Sequence, residues 1–336
     1  MDNIKLLQMA VRQYGFNPED VVVEKELQSN TWHGDLHFKI HLKEKSFSAR
    51  FVSYKRYESN VFVKLTDEVL IEQIKFCNYL RESGIPFMKH RSTLHNEPFV
   101  LIDDGEKEWR FLLFEWIEGE HIITHCTKPV SEKFSKLARK IHDISVNFES
   151  EVFTKESHVY GSEQFLGMIR KELGPIKLMA RTDELIQNYI SLVEYHIEKA
   201  KSESLEFIVQ SDLNNLNIVW DSNGEIIGIV DFESITYTDR VEGLAWLIKW
   251  YSRTHGMGSH EMSPALGKAV LRGYEAKEIL NQSDFSRLPS LLWLSGCLNW
   301  NFTAQTINLI KNNEDILLKE HLTKYLKRGE ILLSLI

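Results

Sequence analysis

IVQSDLNNLNIVW (Ile208–Trp220), followed by IIGIVDFES (Ile226–Ser234), is the stretch on which the reading of this chain turns. Phe207–Val209 is an apolar run that leads into a polar loop. Ile218–Trp220 and Ile226–Val230 are short β-type runs joined by a turn signal at Asp221–Gly224, so a hairpin is predicted. Three polar residues are spaced through this apolar frame: Asp212, then Asn217 five residues on, then Asp231 at a further fourteen. Polar groups beside strand interiors are costly unless they have partners or an ion. The plain alternative is that they are turn and cap residues of the hairpin, a role Asp and Asn commonly fill.

Outward from this stretch the chain has two textures. Towards the N-terminus, after a helix predicted over Met1–Gly15, come VVVEKEL (Val21–Leu27), LHFKIHL (Leu36–Leu42) and SFSARFV (Ser46–Val52), with further runs near Phe99–Asp103 and Arg110–Trp116. They predict a five-stranded antiparallel sheet, interrupted by one helix over Asp67–Ser83 that stops at Gly84 and Pro86. Beyond WIEGEH (Trp116–His121) the pattern is helical, clearest in SEKFSKLARKIHDIS (Ser131–Ser145), and then over 241–251, 265–279, 288–309 and 315–335. The expected organisation is α+β, with an N-terminal unit 1–115 and a mainly helical unit 116–336, and without internal repeats.

The 40 basic and 48 acidic residues give a net charge of −8, which argues against a nucleic-acid binder, since that role needs basic surface to displace counterions. Three well-separated cysteines suggest neither a disulfide framework nor a zinc site and point to a reducing cytoplasm. The first fifteen residues lack the apolar core of a signal peptide, and no run approaches the roughly 20 apolar residues needed to span a bilayer, so no membrane association is expected. His33, His37 and His41, and His121 with His125, recur every four residues, but without an HExxH pattern zinc is not the reading. Trp246, Trp250, Trp293 and Trp300 are read as core, with the wall of an acceptor pocket as the alternative.

An Asp, an Asn five residues later and an Asp after the next hairpin is the spacing of kinase catalytic loops. With it the sequence resembles the aminoglycoside phosphotransferase and choline-kinase family, whose pattern is His-Gly-Asp, four residues, Asn, a hydrophobic strand and Asp-Trp or Asp-Phe. KLARKIHDIS is similar to the family helix that ends in Leu-His, and GLAWL (Gly243–Leu247) to its Asp-Leu-Ala helix start. The resemblance covers roughly residues 20–255, and as a whole the chain looks most like the amicoumacin kinases. It implies a bilobal protein-kinase-like fold with ATP or GTP in the crevice. It further implies Asp212 as catalytic base, Asn217 and Asp231 as ligands of a magnesium ion (Mg2+), and main-chain groups around Glu115 and Ile117 at the adenine edge.

Three departures stand out. Gln210 and Ser211 replace His-Gly, Gly243 stands where the family has Asp, and the third-strand base is Arg50 rather than Lys. Arg50 is assigned to the phosphates and expected to pair with Glu72; Lys64, the competitor, lies only eight residues before Glu72. HGDLH (His33–His37) matches the catalytic triplet literally, yet five and nineteen residues after Asp35 stand Ile40 and Tyr54, so both metal ligands are missing. That segment is read as the turn over the phosphates, with Ser29, Asn30, Thr31 and Gly34 as contacts.

For the acceptor, residues 1–115 hold 16 basic and 18 acidic residues, and the remainder 24 and 30. The more acidic second unit favours a cationic, hydroxyl-bearing small molecule, as for the family's antibiotic-inactivating members. Glu233, Asp239 and Glu242 are the carboxylates expected to meet its ammonium, with helix capping as their alternative. A metabolic kinase acting on an amino-alcohol, homoserine or a sugar, and a kinase-like protein that binds without catalysis, are the other two classes considered.

Overall fold

Alternation marks the core face of the first sheet most clearly in its second strand. In β2 (Leu36–Leu42) Phe38, Ile40 and Leu42 are buried, and in β3 (Lys45–Ser53) Phe47, Ala49 and Phe51 are, so one face of each strand belongs to the core. The computed structural model describes residues 2–28, 34–53, 65–153, 155, 158–174, 176, 178–202, 205–256, 259 and 261–336. These form two compact units: Met1–Glu120 with Val219–Glu233, and His121–Ile218 with Ser234–Ile336.

In the first unit β1 (Val21–Gln28), β2, β3, β6 (Glu108–Glu115) and β4 (His90–Arg91) follow one another across an antiparallel sheet, and β5 (Val100–Asp103) also pairs with β6. The sheet is therefore six-stranded rather than five-stranded. The extra strand, β4, has two residues, too few for any alternation to be legible in sequence. Helix α1 (Asn3–Arg12) sets Leu6, Leu7, Ala10 and Val11 against the apolar sheet face, and Gly15, at φ 81°, turns the chain after it. Helix α2 (Asp67–Glu82) is capped by Thr66, whose side chain accepts from Val69 N, and its first turn is tied to β6 by the buried Arg110 on Asp67, at 2.6 Å.

The hairpin of β8 (Ile218–Trp220) and β9 (Ile226–Ile229) is stitched to this unit through main-chain bonds. Met88 N donates to Ile229 O at 2.9 Å, Ile229 N to Pro86 O at 2.7 Å, and Glu120 and Trp220 exchange bonds of 2.9 and 2.8 Å. Gly228 makes the approach possible, because a Cβ there would lie 2.6 Å from Ile117 Cδ1.

The second unit is helical around a small antiparallel pair, β7 (Phe207–Gln210) with β10 (Ile235–Thr238). Its helices are α3 (Lys128–Ser145), α4 (His158–Leu173), α5 (Ala180–Ala200), α6 (Arg240–Tyr251), α7 (Pro264–Gly273), α8 (Ala276–Ile279), α9 (Gln282–Cys297), α10 (Trp300–Lys311) and α11 (Asp315–Leu333). α9 packs on α5, α6 and α11 and buries Trp293, which stacks on His196 at 4.4 Å. The single helix read over 288–309 is two: Asn299 is extended, and its side chain caps α10 by accepting from Phe302 N. No helix among the described residues is long and apolar enough to cross a membrane.

His142, at the end of α3, is 1% exposed, with Nδ1 2.5 Å from the Tyr274 hydroxyl. Burial, and secondarily the Arg240 guanidinium, pushes it down to about 3. Burial also lowers His37 to about 3, with Arg50 as the second cause, and lowers His90 and His196 to about 4. These rings are neutral in the folded chain and take up a proton on unfolding at around pH 6.5, so their contribution is complete above that pH and is lost as pH falls towards 3. For His142 alone the loss between pH 6.5 and 5 is on the order of 2 kcal/mol. Urea unfolding at pH 7.5, 6 and 5 should show stability falling across that window, and His142→Gln should flatten the fall.

Candidate active site

Arg50 lies in the middle of β3, paired with His37 on one side and Leu112 on the other. Its guanidinium meets the turn that follows β9: Nη2 donates to Glu233 Oε1 in a short contact, Nη1 reaches Asp231 Oδ1 at 3.5 Å, and the group lies 4.9 Å over the Phe232 ring. Phe232 stacks on Phe114 at 5.1 Å, and Asp231 Oδ1 also accepts from Glu233 N at 3.1 Å. The turn is strained, since neither Asp231 at φ 73° nor Ser234 at φ 56° is a glycine. Such conformations cost roughly 1–3 kcal/mol each and persist only where neighbours over-determine them, as the clamp on Asp231 does here.

The pairing expected between Arg50 and Glu72 is thus not the one formed. Among the described residues Arg50 engages Asp231 and Glu233, while Glu72 is bonded to Lys75 one turn along α2, at 3.2 Å. Two carboxylates in one tight turn outcompete a single one on a helix, because a forked guanidinium serves both at once.

Within the second unit, the Asp212 loop is held by its own asparagines. Asn214 Nδ2 donates to Asp212 Oδ1 at 2.9 Å, and Asn214 Oδ1 accepts from Leu216 N at 2.8 Å, capping the single 3₁₀ turn Asn215–Asn217. Asn217 Nδ2 donates to Asp212 O at 2.7 Å, which points its Oδ1 away from that bond. Ser211, in place of the family's glycine, gives both its N–H and its hydroxyl to Ser234 O, at 2.9 and 2.8 Å. Asp212 is half-buried.

The carboxylate of Asp231 and the amide oxygen of Asn217 are each a hard donor of the type magnesium takes. Among the described residues no group of three or more His, Cys, Asp or Glu side chains is placed to hold a metal. Two protein ligands suit an ion that brings phosphate and water oxygens with it rather than one retained by the chain alone.

The remaining expected residues fall as follows. Gly34 adopts φ 75°, while Ser29, Asn30 and Thr31, like Lys64, lie outside the described residues. Asp35 of the rejected HGD triplet is buried and accepts from Ser53 N at 3.0 Å. Glu115 ends β6 and Ile117 follows it; Glu115 N donates to Lys89 O and Trp116 N to Ser46 O, making Ile117 N–H the next donor along the chain. The three carboxylates expected to meet an ammonium are engaged inside the fold. Glu233 holds Arg50. Asp239 caps α6 by accepting from Val241 N and Glu242 N and pairs with Arg287 at 2.7 Å. Glu242 is 2% exposed and accepts from the Thr238 hydroxyl. Of the three, Asp239 alone took the capping role, which its position just before α6 favours.

Gly243 has a local reason: a Cβ there would lie 2.6 Å from His142 Cε1. The tryptophans divide. Trp293 is core, whereas Trp246, Trp250 and Trp300 line a cavity together with Lys249, Arg253 and Arg328. The sequence signal for that wall is Trp246, Lys249, Trp250 and Arg253 at i, i+3, i+4 and i+7, one face of α6 continued past its end.

An antiparallel sheet unit, a helical unit and a loop with Asp and Asn five residues apart, followed by a hairpin and a second Asp, define a small-molecule phosphotransferase of protein-kinase-like fold. The family model described as the phosphotransferase enzyme family (APH) matches residues 50–284, and the chain belongs to that family. Among solved structures it is similar to the amicoumacin kinase hAmiN in complex with AMP-PNP, Ca2+ and Ami (15% identity, 97% of this chain and 93% of that one, TM-score 0.66). It is also similar to a microcompartment-associated aminopropanol kinase (14%, 96% and 98%, TM-score 0.66) and to spectinomycin phosphotransferase APH(9)-Ia in complex with ADP and spectinomycin (15%, 98% and 96%, TM-score 0.59). No curated protein matches by sequence.

Proposed function

We propose that this chain transfers the γ-phosphoryl group of ATP to a hydroxyl of a small molecule, with Asp212 as the base that orients the hydroxyl and takes its proton. The observation that carries this reading is the Asp212 loop, where Asn214 and Asn217 fix the carboxylate and its backbone by bonds of 2.9 and 2.7 Å. Phosphoryl transfer asks little covalent chemistry of a protein, so positioning and charge stabilisation supply most of the acceleration. Asn217 Oδ1 and the Asp231 carboxylate would hold magnesium, which when bound neutralises charge on the phosphates. Arg50 sets the Asp231 carboxylate through the Glu233 clamp, and thereby serves the nucleotide indirectly. Gly34 and the segment 29–31 would cover the phosphates, and Glu115 and Ile117 would meet the adenine edge.

The nucleotide reading is supported by the AMP-PNP and ADP of the two antibiotic kinases. An amine-bearing antibiotic as acceptor is supported by the amicoumacin and spectinomycin of those same structures. It loses the three carboxylates expected to bind the amine, so we hold the acceptor to the broader class of hydroxyl-bearing small molecules. A purified-protein screen of such acceptors, read as ADP release, tests transfer. In calorimetry, Asp231→Ala is expected to lose most of the magnesium-dependent gain in ATP affinity, about tenfold or more. Unchanged affinity with and without magnesium would move the metal site elsewhere.

A further inference from the structure

The cavity beside α6 has a volume of about 450 Å³, within the range of small-ligand sites. Its floor carries three cations from different parts of the second unit: Lys249 of α6, Arg253 just after it, and Arg328 of α11, which are 4%, 5% and 9% exposed. No carboxylate among the described residues lies within ion-pairing distance of any of them. Arg253 Nε and Nη1, Arg328 Nε and Trp250 Nε1 are buried donors without an acceptor. Lys249 Nζ gives one bond, to Ser295 O at 2.9 Å, and sits between two indoles, 3.7 Å from the Trp246 centroid and 4.1 Å from that of Trp250; Arg253 covers the Trp250 ring at 4.8 Å.

Three basic groups buried together, with no carboxylate in ion-pairing reach among the described residues, are an expense that a fold accepts where a ligand supplies negative charge. The electrostatics agree: burial, then Arg328 and Arg253, push Lys249 well below the ordinary lysine value. The cavity also adjoins the base. Gln210, Ser211 and Leu213, on either side of Asp212, share a smaller void with Trp246 and Trp250, and the Asp212 charge is felt at Lys249.

We propose that the phosphoryl acceptor is an anion: a small molecule whose carboxylate or phosphate group is received by Lys249, Arg253 and Arg328 while its hydroxyl is presented to Asp212. The indoles of Trp246 and Trp250 would flank its apolar part. This rests on the phosphotransferase reading, and it reverses the charge expected of the acceptor from the net charge of the unit. Several carboxylates of the unit are engaged inside the fold, whereas the cavity beside α6 is lined by Lys249, Arg253 and Arg328 and by no acidic residue among those described.

Binding and turnover test it separately. The full chain, saturated with ADP and magnesium so that the nucleotide site is filled, is titrated calorimetrically with benzoate, phenyl phosphate, benzamide and benzylamine at constant ionic strength. At least one of the two anions is expected to bind about tenfold or more tightly than the amide or the amine, and comparison of benzoate with phenyl phosphate identifies the preferred group. Arg253→Gln and Arg328→Gln should each weaken that anion about tenfold or more, with ADP affinity as the control for folding. Arg253→Lys and Arg328→Lys, which keep the charge, should retain more of the binding than the Gln forms. If the Gln forms do not fold, the preference of the unaltered chain among the four probes decides. Benzylamine binding best, or no anion binding at all, overturns the proposal.

Turnover is then compared for 3-(hydroxymethyl)benzoate, its amide and 3-(hydroxymethyl)benzylamine with magnesium and ATP. A kcat/KM about tenfold or more in favour of the acid supports the proposal. Arg-dependent anion binding without transfer to any of a wide range of hydroxy acids would leave the anion site standing and sink the phosphotransferase reading. Preferred turnover of the amine would do the reverse.

Discussion

Asp212→Asn is expected to lower phosphoryl transfer by about 10³-fold, within the range general-base groups contribute, while ATP affinity stays within about twofold. The substitution is nearly isosteric, and the oxygen of the introduced amide can still accept from Asn214, as Asp212 Oδ1 does now at 2.9 Å. Folding should therefore change by less than about 1 kcal/mol, in line with substitutions that leave packing intact. What is lost is the acceptor of the hydroxyl proton. Single-turnover rates with a saturating acceptor, alongside thermal melts of both forms, separate the two effects. Full activity in a well-folded Asp212→Asn protein would remove Asp212 from the chemistry.

The largest stability effect belongs to Arg50. Arg50→Met removes from Glu233, whose side chain is 11% exposed, and from Asp231 the guanidinium they share in a strained turn. Breaking a buried pair from one side costs about 3–5 kcal/mol, because the remaining charge keeps its desolvation penalty. Magnesium-dependent nucleotide affinity should fall with it, since the orientation of Asp231 depends on the same clamp. Adding Glu233→Met should restore much of the stability, because the more buried of the two carboxylates that met Arg50 is then gone, but not the nucleotide affinity. Equal unfolding midpoints in urea for the single and double variants would show that the Arg50–Glu233 pair is not what stabilises the turn.

Much of this arrangement was legible in the chain. The strand runs of β1 to β3 declare themselves by alternation, and the loop between β7 and β8 by its asparagines. The partner of Arg50 was not legible. Helix spacing nominates Glu72 as readily as any carboxylate, and what selects Glu233 is the left-handed backbone at Asp231, a property of the folded turn. Helix α6 shows the other limit. Trp246, Lys249, Trp250 and Arg253 recur with the period of a core stripe, and periodicity reports which residues share a face but not whether that face meets a neighbouring helix or a cavity. The break between α9 and α10 depends on Asn299, an ordinary residue until its side chain turns back to cap the next helix.

Gly243 and His142 also decide how two helices are joined. With glycine where the resembled family carries an aspartate, the buried ring has no carboxylate beside it at that position and turns to the Tyr274 hydroxyl, at 2.5 Å. Tyr274 closes α7 and His142 lies in the last turn of α3, so this buried contact is made by two uncharged groups, while the exposed pair of Arg272 with Glu132 joins the same helices elsewhere. An ion pair at the same place would loosen as salt screened it. A neutral clasp gives salt nothing to act on and opens to protons instead, which makes this one contact, unlike the Arg272–Glu132 pair beside it, indifferent to ionic strength and sensitive to acid.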